Sequence, residues 1–533
     1  MRDLKDEYNS DDVNAHRRGY MTRLAKLPIG IQTFAEIRKE GHVYVDKTPR
    51  IKDLIERGKY YFLSRPRRFG KSLLISTLQA LFEGREELFR GLYIHDKWEW
   101  EKFCPVIKIS FGGVARDLAD MKQDVVGILK QNQRRLGISC EESENIGGCF
   151  RELIEKVSEK YGCRVVILVD EYDKLIVDNL DQPDVAAQGR EVLRDLYATI
   201  KDSDEYVRFA FLTGVSKFSK VSVFSGLNNL RDITLDERYA TICGYTQNDL
   251  ETTFSGHLEG ADMDQVRLWY NGYNFLGEPV YNPFDILLFI DSGFEFDNYW
   301  FATGTPNFLI KLLQKNDYFV PNLEDLRVSK SLIDSYDVEN VQLEPILFQT
   351  GYLSIKEAEQ TDFGMEYRLS FPNREVAISF NDVIVGYLTD RHNILPLKKR
   401  LLSCLKQADL DGFKGFLVEL FASIPYTNYV NNTISSYEGY YASVIYAYLA
   451  SLGLDIVPED VTNKGRIDLT LRLPEAIYIL EFKVDGEGRA LEQIKAKDYA
   501  RKYQEDGRPV YLLGIDFDST QRNLAGFEWE LCE

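Results

Sequence analysis

The sequence predicts an α/β fold in two parts: an open parallel sheet in the first half and a smaller α/β unit at the C-terminus. Three observations predict it. The apolar stretch Tyr60-Tyr61-Phe62-Leu63 runs into the loop Arg65-Pro66-Arg67-Arg68-Phe69-Gly70-Lys71-Ser72, and a helical pattern continues to Phe82. The run Val165-Val166-Ile167-Leu168-Val169 is continuously apolar and mostly β-branched, as expected of a parallel strand buried on both faces. Near the other end, Gly465 to Leu473 and Ile477 to Val484 read as two strands joined by the turn Pro474-Glu475-Ala476.

Strand, loop ending in Gly-Lys-Ser, then helix is the context of a phosphate-binding P-loop. Backbone N–H groups at the helix start would face phosphate, where the helix dipole favours negative charge. Arg67, Arg68, Phe69, Gly70, Lys71 and Ser72 are therefore the expected ATP-binding set, with Lys71 reaching the β- and γ-phosphates and the Ser72 hydroxyl ligating Mg²⁺. The pattern G-x-x-x-x-G-K-[ST] has Arg65 where its first glycine stands, and the three loop arginines are expected to hold anionic groups directly. The second strand ends in Asp170-Glu171, the Walker B arrangement: Asp170 would hold the metal through its water shell and Glu171 would be the general base. A third strand, Val207 to Leu212, ends at Thr213-Gly214, placing Thr213 or Ser216 to sense the γ-phosphate, and Val106 to Ser110 reads as a fourth. Ligands of such a sheet sit at the C-terminal ends of its strands.

Arg65–Ser72, Val169-Asp170-Glu171-Tyr172-Asp173, Leu212 to Ser219 and Leu227 to Ile233 together resemble the bacterial AAA-ATPase-like family. In that family Arg-Pro-Arg-Arg-Phe-Gly-Lys-Ser is the usual form of the loop. The resemblance covers roughly Leu27 to Tyr245 and implies a P-loop NTPase parallel sheet with a helical lid, ATP hydrolysis with Mg²⁺, and a nuclease-like domain near the C-terminus. It also marks Arg231 and Arg238 as candidate arginine fingers, which would make a homo-oligomer. The competing expectation is a local ion pair with Asp232, Asp236 or Glu237.

In the C-terminal part Glu481 and Lys483 are two apart on a strand and share a face. Antiparallel pairing would bring Asp468 beside them, and Asp plus Glu can hold Mg²⁺ against a phosphodiester. Upstream, an apolar helical segment starts near Glu438 and is closed by Gly453; downstream, Ala490 to Tyr499 reads as a helix carrying Gln493 and Tyr499, before the strand Val510 to Gly514. This order is similar to the PD-(D/E)XK nuclease superfamily over roughly Tyr426 to Asp516. The similarity implies an α/β restriction-endonuclease-like domain in which Glu438, Asp468, Glu481 and Lys483 are catalytic and Asp468 and Glu481 hold the metal.

Composition bounds these readings. The 533 residues carry 84 acidic and 65 basic side chains, a net charge of −19, which argues against broad coating of DNA or RNA by the whole surface. Seven cysteines form no C-x-x-C pair and five histidines are dispersed, so neither a zinc site nor a disulfide framework is expected. No apolar run reaches the roughly 18 residues of a membrane helix, and the first residues lack a signal-peptide pattern, so a cytoplasmic protein with no membrane partner is expected. The expected organisation is a polar arm (1–20), the ATPase core (21–245), a helical lid (246–330), a connector with a short strand Tyr352 to Ile355 (331–425), and the nuclease-like domain (426–533). The aromatic cluster Trp269 to Phe275 is expected to pack as core or lid. Two functions follow from different classes. One is an ATP-dependent, Mg²⁺-requiring nuclease acting on DNA or RNA, in defence or mobile-element handling by analogy alone. The other is a nucleotide-controlled switch or scaffold whose C-terminal domain binds without cleaving.

Overall fold

A computed structural model describes residues 24–112, 117–141, 145–179, 182–217, 227–301, 320–334, 342–389, 395–424, 438–486 and 489–532. The expected N-terminal arm lies outside the described residues.

The first sheet has five strands: β1 (Tyr60–Ser64), β2 (Val106–Ser110), β3 (Val165–Asp170), β4 (Val207–Gly214) and β5 (Arg231–Asp232). Their order is β2-β3-β4-β1-β5 and every pair is parallel. All residues of β1 and β3 are buried, as their unbroken apolar runs require. Helices α1 (Lys71–Phe82), α2 (Leu118–Leu136), α3 (Ile146–Tyr161) and α4 (Pro183–Asp202) belong to this sheet; α2, α3 and α4 each bury one stripe of side chains, whereas α1 is buried over most of its surface. The chain then forms α5 (Met263–Tyr270) and α6 (Pro283–Asp291). The aromatics here pack, as expected: Trp269 stacks on Phe296 with centroids 5.5 Å apart, and Tyr273 meets Phe69 edge-on at 4.8 Å.

The segment that follows contains a sheet of its own. Strands β6 (Leu326–Ser329), β7 (Ser354–Thr361) and β8 (Gly364–Ser370) lie antiparallel in the order β6-β8-β7, with α7 (Leu343–Thr350) between β6 and β7. The strand read at Tyr352 to Ile355 is longer and later than expected. Lys356-Glu357-Ala358-Glu359 extends it without an apolar alternation, and cross-strand pairs such as Arg368 with Glu357 hold it instead.

Helix α8 (Arg374–Thr389) leads to α9 (Leu410–Ala422) and α10 (Glu438–Ala450). Every residue of α10 from Tyr440 to Ala450 is buried, so this helix is enclosed on all sides. It packs on α8 and on the last sheet. That sheet comprises β9 (Asp455–Thr462), β10 (Gly465–Arg472), β11 (Ile477–Val484), β12 (Val510–Asp518) and β13 (Asn523–Cys532), with α11 (Ala490–Lys497) across β11 and β12. Its order is β13-β12-β11-β10-β9, parallel only between β11 and β12. One apolar core runs from Phe209 and Phe211 of the first sheet, through Tyr352 and Phe380, to Tyr441 and Phe517 of the last. Among the described residues no helix is long and apolar enough to cross a membrane.

Candidate functional sites

The 65–72 loop joins β1 to α1. Gly70 caps α1 with φ of +88°, a left-handed conformation that glycine adopts without strain, and Arg68 is held at +68° nearby. The Lys71 ammonium is buried and folds back on its own loop, donating to the carbonyls of Arg65 at 2.9 Å and Pro66 at 2.8 Å. Burial lowers its pKa, against the pull of Asp170 and Asp173.

Arg65 departs from expectation. It is fully buried, and its guanidinium donates to the carbonyls of Ser64 (2.8 Å), Thr234 (2.9 Å) and Tyr239 (3.2 Å) while lying 3.8 Å from the Phe275 ring centroid. Burial pushes its pKa down to about 10. A side chain so enclosed cannot reach an anion in the loop. Arg65 instead ties the loop to the segment after β5, and only Arg67 and Arg68 are exposed.

At the end of β3, Asp170 is buried and its Oδ1 has no hydrogen-bond partner. Glu171 follows at φ +53°; burial raises its pKa, and Asp170 adds to the rise. Asp173 accepts from the N–H groups of Ser216 (2.6 Å) and Val215 (3.1 Å), and burial pushes its pKa up to about 6. A Cβ on Gly214 would stand 2.3 Å from Asp173 Oδ1, so the strand end and this carboxylate fit only with glycine there. Sequence reasoning gave Asp173 no role, although the spacing Asp170-Glu171-Tyr172-Asp173 carried the signal.

These groups border a cavity of about 680 Å³. Arg67, Arg68, Gly70, Lys71, Ser72, Glu171 and Asp173 line one side. Pro28, Ile31, Tyr245, Phe284 and Leu287 supply apolar walls that the sequence did not point to. Phe69 is buried against Tyr273 and Phe275 rather than in this wall. Thr213 is fully buried and donates to the Leu63 carbonyl at 2.9 Å, joining β4 to β1, and is not among the lining residues. Ser216 is likewise buried, its carbonyl accepting from Tyr172. Arg231 and Arg238 both pair with Asp236, at 3.3 Å and 2.8 Å, as the expectation of a local ion pair has it.

The second cluster forms where β10 and β11 meet the start of α10. Asp468 Oδ2 accepts from the Phe482 N–H at 2.8 Å, which turns its carboxylate toward β11. The Lys483 ammonium lies 3.3 Å from Glu438 Oε1 and 3.5 Å from Glu481 Oε1. Glu481 is 1% exposed; Gln493 of α11 donates to its Oε1, and its Oε2 has no partner. Burial raises the pKa of both Asp468 and Glu481; the neighbouring Asp468 raises Glu481 further, and Glu438 and Glu459 add to the rise at Asp468. Burial opposes the Lys483 charge, but Glu438, Glu481 and Asp468 together raise its pKa. Asp468, Glu481, Lys483, Glu438 and Gln493, separated by up to 55 residues in sequence from Glu438 to Gln493, thus meet in one place. Tyr499 borders the cluster, its hydroxyl beside Gln493 and donating to the Arg466 carbonyl at 2.7 Å. Buried Asp516, in register beside Lys483 on β12, was not foreseen. Among the described residues no group of three His, Cys, Asp or Glu side chains is gathered as a metal cage. The orphaned Oε2 of Glu481 beside Asp468 is nevertheless a donor set that suits a hard divalent cation sharing its remaining positions with water.

Comparison with known proteins agrees with both halves. Residues 28–224 match a family described as a predicted AAA-ATPase, and residues 436–527 match the PD-(D/E)XK nuclease superfamily. Over 508 residues the chain is 49% identical to a protein of Azotobacter chroococcum mcd 1 described as "Uncharacterized protein in vnfD 5'region", covering 94% of this chain and 98% of that one. The chain belongs to one family with that Azotobacter protein, and it carries a predicted AAA-ATPase domain over residues 28–224 and a PD-(D/E)XK nuclease superfamily domain over residues 436–527.

Proposed function

We propose that the protein binds and hydrolyses ATP in the cavity beside the 65–72 loop, and that nucleotide occupancy governs a metal-dependent phosphodiesterase at the Asp468–Glu481 site. The observation that carries the reading is Lys483 resting against both Glu438 and Glu481, beside an Asp468 already oriented by a backbone N–H. Buried Glu481 and half-buried Asp468 are placed to hold a divalent cation, and that cation together with the Lys483 ammonium would offset the charge of a dianionic transition state.

In the first site Lys71 would leave the Arg65 and Pro66 carbonyls for phosphate oxygens, and Arg67 and Arg68 would face the same anion. Ser72 and Asp170 would hold Mg²⁺, an assignment supported by the orphaned Asp170 Oδ1. Glu171, with its pKa raised by burial, is the group to take a proton from attacking water. In the second site Asp468 and Glu481 would hold Mg²⁺, which supplies Lewis-acid polarisation of a phosphodiester. Lys483 orients water and stabilises developing charge, and Gln493 fixes the Glu481 carboxylate. The nucleic acid, DNA or RNA, would enter at this end of the last sheet. A role in defence or mobile-element handling is the setting this pairing suits by analogy.

Paired assays test the reading. ATP turnover should fall about 10²-fold or more in Glu171→Gln while nucleotide still binds. Cleavage of a labelled polynucleotide with Mg²⁺ or Mn²⁺ should vanish in Asp468→Ala with turnover intact. ATP turnover unaltered by Glu171→Gln would remove Glu171 from its role. ATP-dependent assembly without cleavage by the native protein would favour a switch or scaffold.

A further inference from the structure

Behind the cavity lies an acidic pair that neither site uses. Asp285 in α6 and Glu375 in the first turn of α8 are both fully buried, with their carboxyl groups against one another. Glu375 Oε1 accepts from the Trp300 N–H at 2.8 Å. Both oxygens of Asp285 and Oε2 of Glu375 lack a well-directed donor. Two carboxylates in such surroundings cannot both be charged, and the unfilled oxygens are accounted for by a proton held between them. Burial, then the neighbouring Glu375, raises the Asp285 pKa; burial likewise raises that of Glu375, with Asp297 adding to the rise. Tyr270, Tyr273 and Tyr299 also face the pair.

The cation that faces Asp285 is Arg68. Its guanidinium lies 3.7 Å from the ring centroid of Phe284, the neighbour of Asp285, and it lines the cavity. On the other side, α8 lies along α10. The contact between α8 and its surroundings is close. A Cβ on Gly453, just beyond the end of α10, would stand 2.8 Å from the Nε of Arg374, and one on Gly272 would stand 2.0 Å from the Pro372 carbonyl ahead of α8. Glu438 opens α10 and meets Lys483 in the second site.

We propose that Arg68 and the buried Asp285–Glu375 pair form the relay by which occupancy of the cavity controls the Glu438 end of α10. The proposal rests on reading the cavity as a nucleotide phosphate site. A phosphate there competes with Phe284 and Asp285 for Arg68. With the cation withdrawn, the acidic pair tightens on its proton and resets the start of α8. Arg374 at the start of α8 meets Gly453 just beyond the far end of α10, so the displacement would be carried along α10 to Glu438 and its contact with Lys483.

The test is amide hydrogen exchange along α10, with and without a non-hydrolysable ATP analogue and Mg²⁺, in the native protein, Asp285→Asn and Glu375→Gln. Binding of a fluorescent ATP analogue is titrated on the same samples, and melting curves confirm folding. The native protein should bind, and exchange at the start of α10 should change by about threefold or more. Both variants should bind within about threefold of native and lose that response. A response that persists in a folded variant, or a native protein that binds without any change in α10, overturns the relay. A flat native titration overturns the pocket reading itself, which is a separate result. Should Asp285→Asn fail to fold, Glu375→Gln and the native response still decide.

Discussion

Arg65 stands at the position where the general phosphate-loop pattern has glycine, and its contacts explain why an arginine is kept there. Its guanidinium reaches Thr234, 169 residues away in sequence, as well as Tyr239. Restoring the general pattern with Arg65→Gly should therefore damage the protein. Four buried contacts go, a cavity opens, and stability should drop by about 3 kcal/mol or more, read as the urea midpoint. A variant as stable as native would show that the buried guanidinium contributes nothing net. The loop, Asp170-Glu171 and the Asp468…Glu481-x-Lys483 spacing were legible in the sequence because each is a local pattern. The burial of Arg65, the commitment of Thr213 to the Leu63 carbonyl and the pairing of Asp285 with Glu375 were not. Each depends on a partner that only the folded chain brings near.

At the level of elements, the second cluster depends on how closely α11 lies on β12. A Cβ on Gly514 would stand 2.3 Å from the backbone nitrogen of Leu491, a clash with main chain rather than with a side chain that can swing away. Gly514→Ala should lift α11 and draw Gln493 off Glu481. Metal-dependent cleavage should fall about tenfold or more while ATP turnover stays near native, because the first sheet is untouched. Equal activity in both assays would mean that Gln493 does not position Glu481. Apolar runs made β1, β3 and β11 legible, and all three are buried along most or all of their length. The sheet of β6, β7 and β8 was largely missed, since β7 is mostly exposed and polar and offers no alternation to read.

At the scale of the whole molecule, the acidic pair at the root of α8 gives stability a definite dependence on pH. The folded-state pKa values of Asp285 and Glu375 are raised, so the folded protein keeps a proton that the unfolded chain has lost. Stability from this source falls as pH rises from about 4, the ordinary carboxylate range, toward neutrality. Asp285→Asn removes the cost, and its advantage over native in urea midpoint should widen between about pH 5 and pH 8; a constant difference would contradict proton sharing. The net charge of −19 sets a second limit: on the proposed function, nucleic acid would be held locally at the last sheet rather than by the surface at large. The division into a parallel first sheet and a mixed last sheet was legible from the order of motifs. The single apolar core that joins them was not, because it is assembled from aromatics such as Tyr352, Phe380 and Tyr441 that have no periodic signature of their own. The most direct test of the account incubates the full chain with single- and double-stranded DNA and RNA, with Mg²⁺ or Mn²⁺, with and without ATP, beside Glu481→Ala. The account predicts metal-dependent cleavage that responds to ATP and is absent from the variant. ATP turnover without cleavage of any of these polynucleotides would contradict it.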